Sequence, residues 1–149
     1  MNTLSPPKNR LFEIFDQVLR TWAFLPAEPA PMASSSLELP LSFAVAISAP
    51  KQALLLVRGE APFGKLLAES VTGEAQTEAE GADAFKELVN LFCGHLSTDF
   101  WSTQTSRFEA FMPRASSAMG LASQNPDACC GAKVENHYVE IRLFSRSQP

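Results

Sequence analysis

Hydrophobic and polar residues follow one another with two different periods along this chain. In three stretches the hydrophobic residues recur every three or four positions, which predicts amphipathic helices. In other stretches they alternate with polar or small residues, or form short apolar runs, which predicts β-strands. The strands are predicted at residues 37–47, 53–57, 107–112, 130–134 and 137–144.

The three predicted helices have recognisable ends. The first covers about residues 8–25 and is followed by a loop rich in proline, alanine and serine at residues 26–36. The second begins at Pro62, because proline suits the first turn of a helix, and it ends at Gly73. The third begins at Asp83, which is predicted as its N-cap or as an acid of its first turn.

The order of these elements predicts the fold class. A helix, two strands, two helices and two or three further strands favour an α+β fold, in which an antiparallel β-sheet packs with two long helices and one short helix. The 149 residues suit one domain over residues 1–149, with its core at residues 37–144. Pro40 is predicted to mark a bulge or a sheet edge, because proline cannot donate a ladder hydrogen bond.

Composition and charge narrow the classes of function. Hydrophobic residues make up 46% of the chain and charged residues 19%, as in globular proteins. The net charge is −4 and lysine and arginine are not clustered, so nucleic acid is not an expected partner. No apolar run is long enough to span a bilayer, so no membrane association is expected. The absence of a secretory signal and the odd number of cysteines, three, favour the cytoplasm.

A narrow polar stripe lies opposite the hydrophobic face of the third predicted helix. At about 100° per residue, it is formed by Asp83, Glu87, Asn90, Gly94 and Ser97. Glu87 and Asn90, at positions i and i+3, are neighbours on this side of the helix. Gly94 costs helix stability on the order of 1 kcal/mol relative to alanine. Close approach of another backbone would explain that glycine, whereas the plain alternative is a solvated helix face.

The segment from Asp83 to Gly94 resembles the signature helix of the CheX/CheC/FliY chemotaxis phosphatases. That signature is an acidic residue and a small apolar pair, followed by Glu-x-x-Asn-x-x-x-Gly. The likeness extends over residues 43–113, with a strand ending in Val57-Arg58-Gly59 and a short helix that closes at Gly73. Because the motif occurs once, the chain looks more like the CheX branch than the CheC branch.

The resemblance implies a phosphatase that acts on the phospho-aspartate of a CheY-like response regulator. Asn90 would position the attacking water, and Glu87 would dock against a lysine of the regulator. Asp83 and Gly94 would belong to the same contact surface. The resemblance implies no cofactor for this chain, with Mg²⁺ expected on the regulator.

Two further expectations accompany the resemblance. The first is a homodimer formed at a sheet edge, which the long apolar strand at residues 37–47 supports because its edge would otherwise be exposed. The second is an alternative function. The same fold could be a non-enzymatic binding or assembly module for a response regulator or a flagellar switch component, with the stripe as its docking surface.

Cysteine and histidine residues form the remaining candidates for chemistry. Zinc ligands could be imagined at Cys129, Cys130 and His137, or at Cys93 and His95, and Cys130 with His137 could be imagined as a nucleophile and its base. Adjacent cysteines in a strand point to opposite faces, and zinc sites favour spaced pairs. No orienting acid stands at a recognisable spacing. We therefore predict neither a metal site nor a cysteine nucleophile.

Overall fold

An antiparallel sheet with helices on one face forms the centre of the protein. The computed structural model describes residues 8–33, 39–49, 53–74, 76–100, 107–111 and 124–145. Its six strands follow the order β1-β5-β6-β3-β2-β4, and all neighbouring strands are antiparallel. The elements are α1 (Lys8–Trp22), β1 (Glu28–Ala30), β2 (Leu41–Ala49), β3 (Ala53–Gly59), α2 (Ala61–Thr72), α3 (Glu78–Phe100), β4 (Arg107–Phe111), β5 (Ala128–Val134) and β6 (His137–Ser145).

The main core lies between the sheet and the three helices. Every second residue of the central strands points into it, as Val45 of β2 and Val57 of β3 do. The helices contribute large side chains, and the rings of Phe15 and Phe92 meet edge to face with their centroids 5.7 Å apart. The α+β class and the three helices predicted from the sequence are confirmed. None of the described helices is both long and apolar enough to cross a membrane.

Two glycines allow α2 and α3 to pack with their backbones in contact. A Cβ atom built on Gly81 would lie 2.8 Å from the carbonyl carbon of Gly64 and 2.8 Å from the nitrogen of Lys65. A Cβ atom built on Gly64 would lie 2.9 Å from the carbonyl oxygen of Gly81. A side chain at either position would therefore push the two helices apart, and this contact fixes where α3 lies.

The opposite face of the sheet carries a buried group of charged residues. Glu140 is fully buried, and its Oε2 accepts hydrogen bonds from Arg58 Nε at 3.1 Å and Arg142 Nε at 2.6 Å. The Tyr138 hydroxyl donates to Glu140 Oε1 at 3.1 Å and accepts from the Ala33 N–H at 2.8 Å. Burial raises the pKa of Tyr138 to about 12, with a smaller contribution from the Glu140 charge. The hydroxyl therefore stays protonated and remains a donor.

The third helix begins earlier than the sequence pattern predicts. Its first residue is Glu78, so the prediction of Asp83 as N-cap or first-turn acid is wrong. Thr77 and Glu80 form a capping box that starts the helix. The Thr77 hydroxyl accepts from the Glu80 N–H at 3.2 Å, and Glu80 Oε1 accepts from the Thr77 N–H at 2.9 Å. The Thr77 N–H and the Thr77 hydroxyl both donate to Glu80 Oε1, and these two hydrogen bonds lower the pKa of Glu80.

Other differences lie at the ends of the first helix and the first predicted strand. Helix α1 ends at Trp22, and the loop after it contributes the edge strand β1, which was not predicted. Strand β2 begins at Leu41, so Pro40 precedes the strand. Because β2 lies between β3 and β4, it has no exposed edge, and the reason given for a homodimer is wrong.

Replacing Gly81 with alanine is expected to lower the free energy of unfolding by about 1–3 kcal/mol, because the new methyl group meets backbone atoms of α2. Gly94→Ala is the matched control in the same helix. A Cβ atom there meets nothing within 4 Å, so alanine should raise the stability by up to about 1 kcal/mol. Urea unfolding of both variants tests this, and an equal effect at the two glycines would contradict the packing argument.

Candidate functional site

Helix α3 presents its predicted polar stripe to solvent. The opposite side of the helix is buried on the sheet through Phe85, Leu88, Val89, Phe92 and Leu96. Asp83 and Glu87 are exposed, whereas Asn90 and Gly94 are half-buried. The structure thus brings together all four residues that the sequence assigned to the site: Asp83, Glu87, Asn90 and Gly94.

Ser97 does not belong to this surface, although the helical spacing predicted it there. Its residue is only 2% exposed, and its hydroxyl finds no hydrogen-bond partner among the parts of the chain that the structure describes. The candidate site therefore ends at Gly94.

The polar side chains of the stripe are unpartnered within the part of the chain that the structure describes. Among the described residues, none forms a hydrogen bond or an ion pair with the side chain of Asp83, Glu87 or Asn90. Some charged residues elsewhere on the helices are paired, as Arg20 Nε is with Asp16 Oδ2 at 2.9 Å. The carboxylates and the amide of the stripe are therefore available to another molecule, with no internal contact to break first.

Gly94 leaves an open space beside these groups. A Cβ atom at this position would meet no heavy atom within 4 Å, apart from the neighbouring residues and the local helix backbone, which contrasts with the crowded position of Gly81. Internal packing therefore does not require a glycine here. The missing side chain instead lowers the helix surface next to Asn90, which lets a second molecule approach the amide closely.

The residues that flank the stripe are turned away from it. The Lys86 ammonium group lies over the ring of Phe43, with Nζ 5.8 Å from the ring centroid. His95 is exposed on the other flank, where it lines a shallow depression with Ile14 and Gln17 of α1. Neither the cation nor the imidazole covers Glu87 and Asn90, so the stripe is accessible.

A groove adjoins the Asp83 end of the stripe and was not predicted from the sequence. It lies between the C-terminal ends of α1 and α2 and the beginning of α3, and Asp83 belongs to both features. Its lining residues are Trp22, Ala68, Val71, Thr72, Gln76, Glu80, Asp83 and Ala84. Val71 falls at the helical spacing of the core residues, so its exposure to solvent could not be predicted from the sequence.

The three cysteines are free thiols, and none of them belongs to the stripe. Burial raises the pKa of the Cys93 thiol to about 12, which disfavours the thiolate. Cys130 points into the main core, whereas its neighbour Cys129 points to the other face of β5. Within the described residues, no three histidine, cysteine, aspartate or glutamate side chains come together as a metal site would require.

Comparison with solved structures places the fold among chemotaxis proteins. CheX from Desulfovibrio desulfuricans has a TM-score of 0.65 and 14% identity, over 93% of this chain and 97% of that chain. A CheX–CheY–BeF3–Mg²⁺ complex from Borrelia burgdorferi has a TM-score of 0.65 and 12% identity, over the same shares. A CheC-like chemotactic protein from Shewanella oneidensis has a TM-score of 0.67 and 14% identity, over 93% and 96%.

The similarity between this chain and these solved structures is a similarity of fold. No protein-family model and no curated protein sequence matches the chain. Identities of 11–15% over nearly the whole chain show a shared architecture. The chain therefore has the fold of the CheX and CheC-like chemotaxis proteins, and the resemblance of fold noted in its sequence is confirmed.

Asn90→Ala is expected to leave the protein as stable as the original or to raise its free energy of unfolding by up to about 0.7 kcal/mol, because alanine is the better helix former and no internal hydrogen bond is lost. Leu88→Ala, on the buried side of the same helix, should instead cost about 2–5 kcal/mol. Thermal and urea unfolding provide the measurement. Marked destabilisation by Asn90→Ala would indicate a structural role for the amide.

Proposed function

We propose that this protein is a phosphatase of a phosphorylated CheY-like response regulator, acting in chemotaxis or a related two-component pathway in the cytoplasm. One observation carries the proposal. Glu87 and Asn90 stand side by side on the solvent face of α3, without partners among the described residues, next to the open space at Gly94. The fold supports it, since CheX from Borrelia burgdorferi has been solved in complex with CheY, BeF3 and Mg²⁺.

The residue types suit the hydrolysis of an acyl phosphate. The water oxygen attacks phosphorus, the bond between phosphorus and the aspartate oxygen breaks, and the products are a carboxylate and inorganic phosphate. Because the phospho-aspartate is already activated, catalysis consists mainly of placing the water in line with the breaking bond. The Asn90 amide can accept a hydrogen bond from the water through its oxygen and donate to a phosphoryl oxygen through its nitrogen.

A neutral amide has an advantage over a carboxylate at this position. A carboxylate would repel the negatively charged phosphoryl group, whereas the amide carries no charge and can hydrogen-bond to both reactants. Asn90 is half-buried, so the helix surface around it limits the directions in which it can point. We assign the water-positioning role to Asn90 for these reasons.

Glu87 is proposed as the residue that orients the regulator. Its exposed carboxylate can form an ion pair with a lysine beside the phosphorylated aspartate, one helical turn from Asn90. Asp83 adds a second negative charge on the same side of the helix, and Gly94 supplies the space for the approach. We propose no cofactor for this chain, and the Mg²⁺ belongs to the regulator.

We also propose that the protein forms a homodimer through the free edge of β4. This strand ends the sheet and pairs only with β2 among the described strands. An unpaired strand edge offers a row of backbone hydrogen-bonding groups to a second copy.

Asn90→Ala is expected to reduce the rate of regulator dephosphorylation about 100-fold or more at saturating enzyme, because the attacking water loses its positioning group. Release of phosphate from a phosphorylated cognate regulator is the measurement. Gln17→Ala, which removes an exposed amide from α1, is the matched control and should retain full activity. Equal rates with and without the Asn90 amide would disprove the mechanism.

Glu87→Gln is expected to weaken binding of the BeF3-activated regulator by about 5- to 100-fold, since an interfacial charge-assisted hydrogen bond is lost. Glu78→Gln is the control, as it removes an exposed carboxylate from the first turn of the same helix. Isothermal titration gives both dissociation constants. Binding without any acceleration of dephosphorylation by the unaltered protein would favour the docking-module alternative over the enzyme.

A further inference from the structure

The groove between α1, α2 and α3 has the size of a side-chain pocket. It has a volume of about 300 Å³, and its apolar walls are Trp22, Ala68, Val71 and Ala84. This volume is at the lower limit for pockets that hold small molecules, which measure roughly 300–1,000 Å³. It therefore suits one or two apolar side chains of another protein better than a metabolite.

One exposed hydrophobic residue belongs to the groove wall, and a second follows the wall residue Trp22 closely in the chain. Among the side chains that the structure describes, only two large hydrophobic ones are exposed: Val71 at 41% and Phe24 at 76%. Val71 is part of the groove wall, and Phe24 follows Trp22 of that wall after a single intervening residue. Val71 therefore adds exposed apolar surface to the groove itself, and Phe24 adds it at the end of α1 that adjoins the groove.

The backbone at Phe24 is also strained. Its φ angle is +58°, in the left-handed region where glycine is usual after a helix end and a bulky residue is an outlier. The residues on both sides are buried, Ala23 at 0% and Leu25 at 5% exposure. Their burial holds the aromatic side chain out into solvent. Phe24 thus costs stability twice, through its strained backbone and through its exposed side chain. Such a cost points to a role in function and not in folding.

The rim of the groove is acidic. Glu80 and Asp83 line it, and the described residues of the lining include no basic one. The nearby cation Arg20 is already paired with Asp16 on α1, and Lys86 is directed to Phe43. The groove therefore complements an apolar side chain that has a lysine or arginine beside it.

The groove is also preformed on its α2 side. Gln76 Nε2 donates to the Thr72 hydroxyl at 2.9 Å, and that hydroxyl donates to the Ala68 carbonyl at 2.9 Å. Gly73 closes the helix with its φ angle at +82°. These bonds hold the wall in place before any partner binds, which lowers the entropic cost of binding.

We infer that this groove is a second contact site for the response regulator, separate from the catalytic stripe. It receives an apolar side chain of the regulator, and a neighbouring lysine or arginine pairs with Glu80 or Asp83. Asp83 joins the groove to the stripe, so one regulator can occupy both surfaces together. The inference rests on the proposed function, because it takes the same regulator as partner.

The test compares Val71→Glu, in the groove wall, and Phe24→Gly, next to it at the end of α1, with their matched controls. These two are called the groove variants. Phe24→Gly should raise Tm by about 2–4 °C, because glycine relaxes the left-handed backbone, and should weaken binding of the BeF3-activated regulator about tenfold. Phe24→Tyr should retain the affinity. Val71→Glu should weaken binding to a similar extent, whereas Ala61→Glu, at the exposed other end of α2, should not.

Activity distinguishes this inference from the proposed function. At saturating regulator, the groove variants should dephosphorylate it as fast as the unaltered protein, since neither residue contacts Asn90. Unchanged affinity in Phe24→Gly and Val71→Glu, with dephosphorylation intact, overturns the groove and leaves the phosphatase standing. Failure of the unaltered protein to bind the regulator overturns both, whereas binding without dephosphorylation overturns the phosphatase alone. A third outcome is that the groove variants no longer self-associate in sedimentation but keep their affinity for the regulator. That outcome identifies a second copy of the chain as the occupant of the groove and also overturns the inference.

Discussion

The backbone contact between α2 and α3 at Gly64 and Gly81 is the constraint on which the candidate site depends. Because no side chain separates the helices there, α3 can lie close to α2 and still cover the sheet with its apolar side. This placement decides which residues of α3 are buried and which face solvent. The direction of Glu87 and Asn90 is thus set by two glycines that take no part in the chemistry.

Several residues near the site are poor choices for stability. Asparagine is a mediocre helix former, Gly94 stands in a helix where nothing prevents a side chain, and Phe24 adopts a conformation that favours glycine. The buried side of α3, in contrast, consists of well-packed apolar residues. Natural proteins depart from local consistency mainly where function requires it. The three departures named here lie along α3 and at the end of α1.

The sequence predicted those features that depend on local pattern. The period of the hydrophobic residues identified the three helices and the central strands, and Pro62 and Gly73 marked α2 because each favours the backbone conformation of a helix end. The stripe also followed from spacing, up to Gly94. The start of α3 was missed because the acidic segment before Asp83 reads as a connection, although Thr77 and Glu80 carry the capping-box signal. The contact at Gly64 and Gly81, the edge strand β1 and the groove could not be predicted, because each joins segments far apart in the sequence.

The buried charges on the far face of the sheet have a consequence for strand alignment. Alternation of apolar and polar residues excludes a shift of β3 against β6 by one residue, since every side chain would change face, but it permits a shift by two. Arg58 stands opposite Glu140 in the native register, and a two-residue shift would separate them. Removing the partner of a buried charge costs about 3–5 kcal/mol. The buried ion group thus favours one register of β3 against β6 among those that the hydrophobic pattern permits equally.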